Sequence, residues 1–220
     1  MNENKPKIKV GKNGPYLVNG NVPLIEESTV IGADAEPEKW IKTNSYPQQE
    51  NCSLCRCGAS QNKPFCDGTH TAINFDGTET AAKEANTLKK EKTRGKTINI
   101  TYIESFCSIA RFCHAAGDAW HLVKHSDNPE SKAKVLEEAA NCPSGALEAW
   151  EKSGQIIEPT LNQEISVTEK PSGPLWIKGG IEIEAADGQV YEKRNRVTLC
   201  RCGKSQNKPF CDGKHVVDVS

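Results

Sequence analysis

Cys55, Cys57, Cys66 and His70 lie within the sixteen residues CRCGASQNKPFCDGTH, and Cys200, Cys202, Cys211 and His215 recur in CRCGKSQNKPFCDGKH. The copies differ only at Ala59/Lys204 and Thr69/Lys214. In an extended segment residues i and i+2 point the same way, so both thiolates of a C-x-C can face one metal. Pro64 and Pro209 stiffen the approach to the third cysteine. Asp67-Gly68 and Asp212-Gly213 follow it, with the Asp suited to opening a helix, and a histidine at i+4 then shares that cysteine's face. Three thiolates and one imidazole are the donor set of structural zinc or of an iron–sulfur cluster. C-x-C fits the usual zinc spacing poorly, but zinc that merely holds the fold together remains the competing reading.

Cys107, Cys113 and Cys142 form a further group, the last opening Cys142-Pro-Ser-Gly-Ala-Leu147. Nine of the ten cysteines therefore fall into three groups of three. The tenth, Cys52, has Val197 as its counterpart in the second copy, so the metal site does not need it, and it reads as a spare thiol. Ligand-like grouping, C-x-C spacing and an N-terminus without an apolar signal stretch (MNENKPKIKV) argue against a secreted disulfide framework. A reducing cytoplasm is the expected compartment. A net charge of −1 gives no basic field for nucleic acid or an anionic membrane, and no run approaches the ~18 apolar residues of a membrane helix. Apolar residues make up 36% of the chain and aromatics 6%, which favours several small modules that need metal to stay folded.

The elements that must position these ligands are also repeated. Asn13–Gly20 (NGPYLVNG) is echoed by Ser172–Gly179 (SGPLWIKG), both hairpin-like. Ile181 and Ile183 alternate with Glu182 and Glu184, Asp187-Gly188 signals a turn, and a strand is expected from Val190 to Leu199, leading into Cys200. The insertion Glu26–Gln49 has no evident role, and Asp76–Lys96 reads as a solvated linker or an exposed helix face. The centre combines a strand at 97–102, a helix from Pro129 to about Ala140 opened by its proline, and strand-turn-strand through Ile157. The predicted fold class is α+β, with repeat 1 over 1–75, a linker over 76–95, a central domain over 96–160 and repeat 2 over 161–220.

The segment C-x-C-x2-S-x3-P-x-C-D-G-x-H resembles the signature of the CDGSH iron–sulfur (mitoNEET-like) family. Both copies match it, with Ser60 and Ser205 at the serine position and Thr69 and Lys214 where the family name has Ser. The family's transmembrane anchor has no counterpart in these residues. The resemblance implies a [2Fe–2S] cluster held by three Cys and one His in each copy. It also implies an intramolecular pseudo-dimer, because single repeats of this family resemble halves of a two-fold dimer with intertwined strands. The central pattern C-x2-A-x2-C…C-P is similar to half of a bacterial-type ferredoxin in which Ala110 replaces the second ligand. That likeness implies a [3Fe–4S] or [4Fe–4S] cluster on Cys107, Cys113 and Cys142, with His114, His121 or His125 as candidates for a fourth ligand. Histidine ligation raises the reduction potential, and protons compete with iron for imidazole near physiological pH. Lys63 and Lys208 are candidates for stabilising an anionic cluster. No nucleotide loop, hydrolase nucleophile or flavin signature is present. The expectation is a carrier rather than an enzyme, a monomer serving redox proteins or apo iron–sulfur acceptors, with a structural or sensing protein as the alternative.

Overall fold

The computed structural model describes residues 5–83, 89–168 and 173–217. Repeat 1 supplies β1 (Lys7–Val10), β2 (Tyr16–Asn19), β3 (Leu24–Ile31), β4 (Pro37–Ser45) and β5 (Asn51–Leu54). Repeat 2 supplies β10 (Glu164–Thr168), β11 (Leu175–Lys178), β12 (Glu182–Glu184) and β13 (Arg196–Leu199). Ser172, the first residue of the expected echo, lies outside the described residues. Alternation sets the buried faces, Ile8 and Val10 on β1 and Tyr16 and Val18 on β2.

Two sheets carry the repeats, ordered β12-β1-β2-β5 and β13-β11-β10-β3-β4. Reading β1 as the equivalent of β10, β2 of β11, β5 of β13 and β3 of β12, the orders are the same. The four-stranded sheet therefore borrows β12 from repeat 2, and the five-stranded sheet borrows β3 from repeat 1, with β4 added as an outer strand. β12 pairs parallel to β1, with Ile8 opposite Ile183, and β3 pairs parallel to β10, with Leu24 opposite Ile165. The exchange gives both repeats a single core, in which Ile8, Val10, Tyr16, Val18 and Leu54 pack with Ile165, Val167, Leu175, Ile177, Ile183 and Leu199. At roughly 1.5–3 kcal/mol for each large apolar side chain removed from water, neither repeat alone could bury its half. The pseudo-dimer expected from the resemblance is present in one chain.

The centre has its own antiparallel sheet, β6-β7-β8-β9, formed by β6 (Glu91–Arg94), β7 (Ile98–Tyr102), β8 (Leu147–Glu151) and β9 (Ile156–Ile157). Against it lie α2 (Ala119–Leu122) and α3 (Pro129–Asn141), closing a second core around Ile98, Ile100, Val123, Val135, Ala139 and Leu147. Asn128 caps α3 by accepting from the amides of Glu130 and Ser131, with Pro129 beginning the first turn.

Three expectations are corrected. The presumed linker contains β6, an edge strand of EKTR whose charges hid it because its backbone, not an apolar face, holds it to β7. The same stretch docks on repeat 2, where the Thr80 and Ala81 amides donate to the Lys208 carbonyl and Tyr191 Oη donates to Glu79. The strand expected over 190–199 is regular only from Arg196; Arg194 instead reaches across to the Gly145 carbonyl and Glu148. The insertion at 26–49 acquires a role. It forms the long hairpin β3–β4, which clamps the centre through Trp40 Nε1 donating to the Asn141 carbonyl at 3.0 Å, Trp40 stacking on Phe112, and an ion pair between Glu36 and Arg111.

Candidate metal centres

β5 and β13 end one residue before Cys55 and Cys200, and each following loop returns beside its strand. The Cys55 amide donates to the Pro64 carbonyl and that of Cys66 to Ser53; in repeat 2, Cys200 donates to Pro209 and Cys211 to Thr198, all at 2.7–2.8 Å. Ser60 Oγ donates to the Phe65 carbonyl and accepts from the Asn62 amide, and Ser205 does the same with Phe210 and Asn207. The Asp67 carboxylate accepts from the amides of Thr69 and Gln61, bonds that hold it well below the usual carboxylate range, those to Thr69 contributing most.

These loops set the donors in close pairs. Cys55 and Cys57 sulfurs lie 3.8 Å apart and Cys200 and Cys202 sulfurs 3.7 Å apart. Cys66 Sγ lies 3.3 Å from His70 Nδ1, and Cys211 Sγ 3.5 Å from His215 Nδ1. Two thiolates on one tetrahedral ion at ~2.3 Å stand about 3.8 Å apart, and a thiolate and an imidazole about 3.6 Å. Each pair thus fits half the shell of one metal. Among the described residues no group of three or more His, Cys, Asp or Glu side chains is placed to hold a single ion. No cysteine is in a disulfide.

The histidine reaches its cysteine by a different route from the expected helical i+4 step. α1 (Thr69–Ala72) and α4 (Lys214–Val217) begin after the cysteine. Gly68 at φ +88° and Gly213 at φ +81° make the turn, a conformation that a side chain disfavours.

Sequence reasoning missed the arginines between the paired cysteines. Arg56 and Arg201 are 2% and 3% exposed, whereas Lys63 is exposed and Lys208 half-buried. Arg56 donates to the Gly11 and Gly77 carbonyls at 3.1 and 2.5 Å, and Arg201 Nε to the Gly173 carbonyl at 2.8 Å. Burial lowers the Arg201 pKa, while Cys55 of the other repeat acts in the opposite sense. Each arginine is thus a buried cation beside an anionic site. The signal was available, since strand alternation sends the middle residue of C-R-C away from the thiolates. Tyr16, with Leu175 as its counterpart, ties the repeats by donating to the Cys200 and Pro209 carbonyls at 2.8 and 3.0 Å.

In the centre, Cys107, Cys113 and Cys142 come from the loop after β7 and from the end of α3. Burial, then neighbouring Cys142 and Cys107, push the Cys113 thiol up to about 12. Ionised together, the three thiols repel in a poorly solvated space, and a bound cation removes that penalty. The loop bends sharply, with Ile109 and Arg111 at φ +58° and +64°; a β-branched residue there is a true outlier. Ala110, at the missing ligand position, is half-buried. His114 is exposed beside Trp120, and His121 and His125 lie against each other at the surface. Cys52 is half-buried, and burial raises its pKa.

Family models agree with this geometry. Residues 13–71 and 172–216 match the iron-binding zinc finger CDGSH type, and residues 93–152 match the divergent 4Fe-4S mono-cluster. Ligand loops and models together define an iron–sulfur protein. The chain belongs to the CDGSH family in a tandem form, two repeats flanking a mono-cluster domain. No curated protein and no solved structure matches it. No helix among the described residues is long and apolar enough to cross a membrane.

Proposed function

We propose that the protein is a one-electron carrier, not an enzyme. Cys55, Cys57, Cys66 and His70 hold one [2Fe–2S] cluster, and Cys200, Cys202, Cys211 and His215 hold a second. Cys107, Cys113 and Cys142 hold a [3Fe–4S] or [4Fe–4S] cluster, the former needing only three thiolates. The observation that carries the reading is the paired spacing of the donors, 3.7–3.8 Å between sulfurs and 3.3–3.5 Å from sulfur to Nδ1. When bound, the clusters supply reversible one-electron chemistry. The chain's own residues set its conditions: neutral imidazole in place of a fourth thiolate, and the buried Arg56 and Arg201, favour uptake of the electron.

The expected partners are redox proteins in a reducing cytoplasm. Donation of a cluster to an apo-protein is a second reading, favoured by the half-buried His70 and exposed Gly68 at the first site. The test is the visible spectrum with iron, sulfide and zinc analysis of anaerobically purified protein. Sulfide-containing chromophores support the proposal, and a colourless zinc protein overturns it. Oxidised [3Fe–4S] is paramagnetic and oxidised [2Fe–2S] is not, so EPR of the oxidised form assigns the centre. Reduction potentials and transfer to an apo-ferredoxin separate the two readings.

A further inference from the structure

The two repeats are near copies in sequence, but the centre treats them differently. At Gly68 an added Cβ would meet nothing within 4 Å, whereas at Gly213 it would lie 2.4 Å from Ile109 Cδ1 and 3.3 Å from the Cys107 carbonyl oxygen. The cysteine loop of the centre therefore rests directly on the Cys211–His215 turn. Cys66 and His70 are half-buried, while Cys211 and His215 are 2% and 6% exposed. Phe106 meets Phe210 edge-on at 5.0 Å, and Asn207 Nδ2 donates to the Ser105 carbonyl at 2.7 Å. The repeats in turn touch each other at their C-x-C loops, where Gly58 abuts Cys202 and Gly203 abuts Cys57.

The geometry points to an ordered relay: the Cys107–Ile109 loop couples the centre to the second repeat, the C-x-C contacts couple the second repeat to the first, and the first repeat is the outward end. The inference rests on the three-cluster reading above. One electron moves per event, and no bond forms or breaks. A one-electron redox protein donates at one end, and another accepts at the other. Ile109 and Gly213 are positioning residues: a side chain of ordinary size at both would wedge the centre away from the second site.

Magnetic coupling tests the order. In fully loaded protein, poised so that the centre is paramagnetic and both repeats are reduced, EPR power saturation reads how fast each repeat's signal relaxes. His70→Cys and His215→Cys identify the signals by shifting one each. The second repeat is expected to relax several-fold faster than the first. Gly213→Ala should abolish most of that difference, whereas Gly68→Ala, with the same positive φ but open space, should not. Adding Ile109→Ala to Gly213→Ala should restore it. If Gly213→Ala does not load, Ile109→Trp drives the same wedge with both glycines intact. Equal relaxation of the two repeats, or wedge variants that behave like wild type, would overturn the ordering while leaving the carrier reading intact. A centre without iron would overturn both.

Discussion

Gly58 and Cys202 approach so closely that a Cβ on Gly58 would stand 2.6 Å from the Cys202 carbonyl oxygen, and Gly203 meets Cys57 in the same way. Both glycines also adopt positive φ, +82° and +79°. A left-handed alanine costs roughly 1–2 kcal/mol, and overpacking adds roughly 1–3 kcal/mol. Gly58→Ala and Gly203→Ala should each lower stability by about 3 kcal/mol, read as a lower urea midpoint. Gly68→Ala should show the backbone cost alone. Equal midpoints for all three would mean that the contact between the repeats contributes nothing.

Acid should release the two repeat clusters at different rates. Protons compete with iron for imidazole, and His70 is the more accessible of the two histidines. On a jump to about pH 5, bleaching of the visible spectrum is expected in two phases. His70→Cys should remove the faster phase, and His215→Cys the slower. Each variant should also lower the potential of its own cluster. A single phase insensitive to His70→Cys would contradict this.

Arg201 should tune the first repeat from across the pseudo-two-fold axis. Burial lowers the pKa of this arginine, and negative charge on Cys55 opposes that shift. Arg201→Gln removes a positive charge and should lower the potential of the first-repeat cluster more than that of the second. It also removes the charged donor to the Gly173 carbonyl, at a stability cost of about 1.5–3 kcal/mol. Redox titration of the two signals checks the direction.

Glu138 makes stability pH-dependent. This carboxyl on α3 is 4% exposed, and burial, with Asp118 and Glu137, pushes it up to about 8. The unfolded chain ionises near 4.5, so between pH 4.5 and 8 the folded state holds more protons and stability falls as pH rises. The loss is on the order of 5 kcal/mol once both states are ionised. Glu138→Gln should be nearly neutral at pH 5 and stabilising at pH 8, as measured by thermal midpoints across that range. A difference independent of pH would exclude the carboxyl as the cause.

The loops that carry the candidate ligands of the two repeats were legible because they are local. Cys55 to His70 lies within one loop whose turn chemistry, Ser60, Asp67 and Gly68, is written in the same residues. The α3 boundary was equally local, fixed by Asn128 and Pro129. Features that depend on distant partners were hidden. The pairing of Leu24 with Ile165 and the bond from Tyr16 to Cys200 span most of the chain, and no periodicity announces them. The role of the β3–β4 hairpin depends on Asn141 and Arg111, which the insertion does not contain. β6 was missed because an exposed edge strand needs only backbone partners, and EKTR looks like solvated sequence.

The exchange of β3 and β12 has an evolutionary consequence. In a homodimer every substitution is made twice, once on each side of the axis. Joining the repeats in one chain while keeping the exchanged strands frees each half to change alone. Tyr16 faces Leu175 as its counterpart and Cys52 faces Val197; Gly68 stays open while Gly213 is covered. A symmetric ancestor would have had two equivalent faces for a neighbour to occupy. This chain has already given one of them to its own interior.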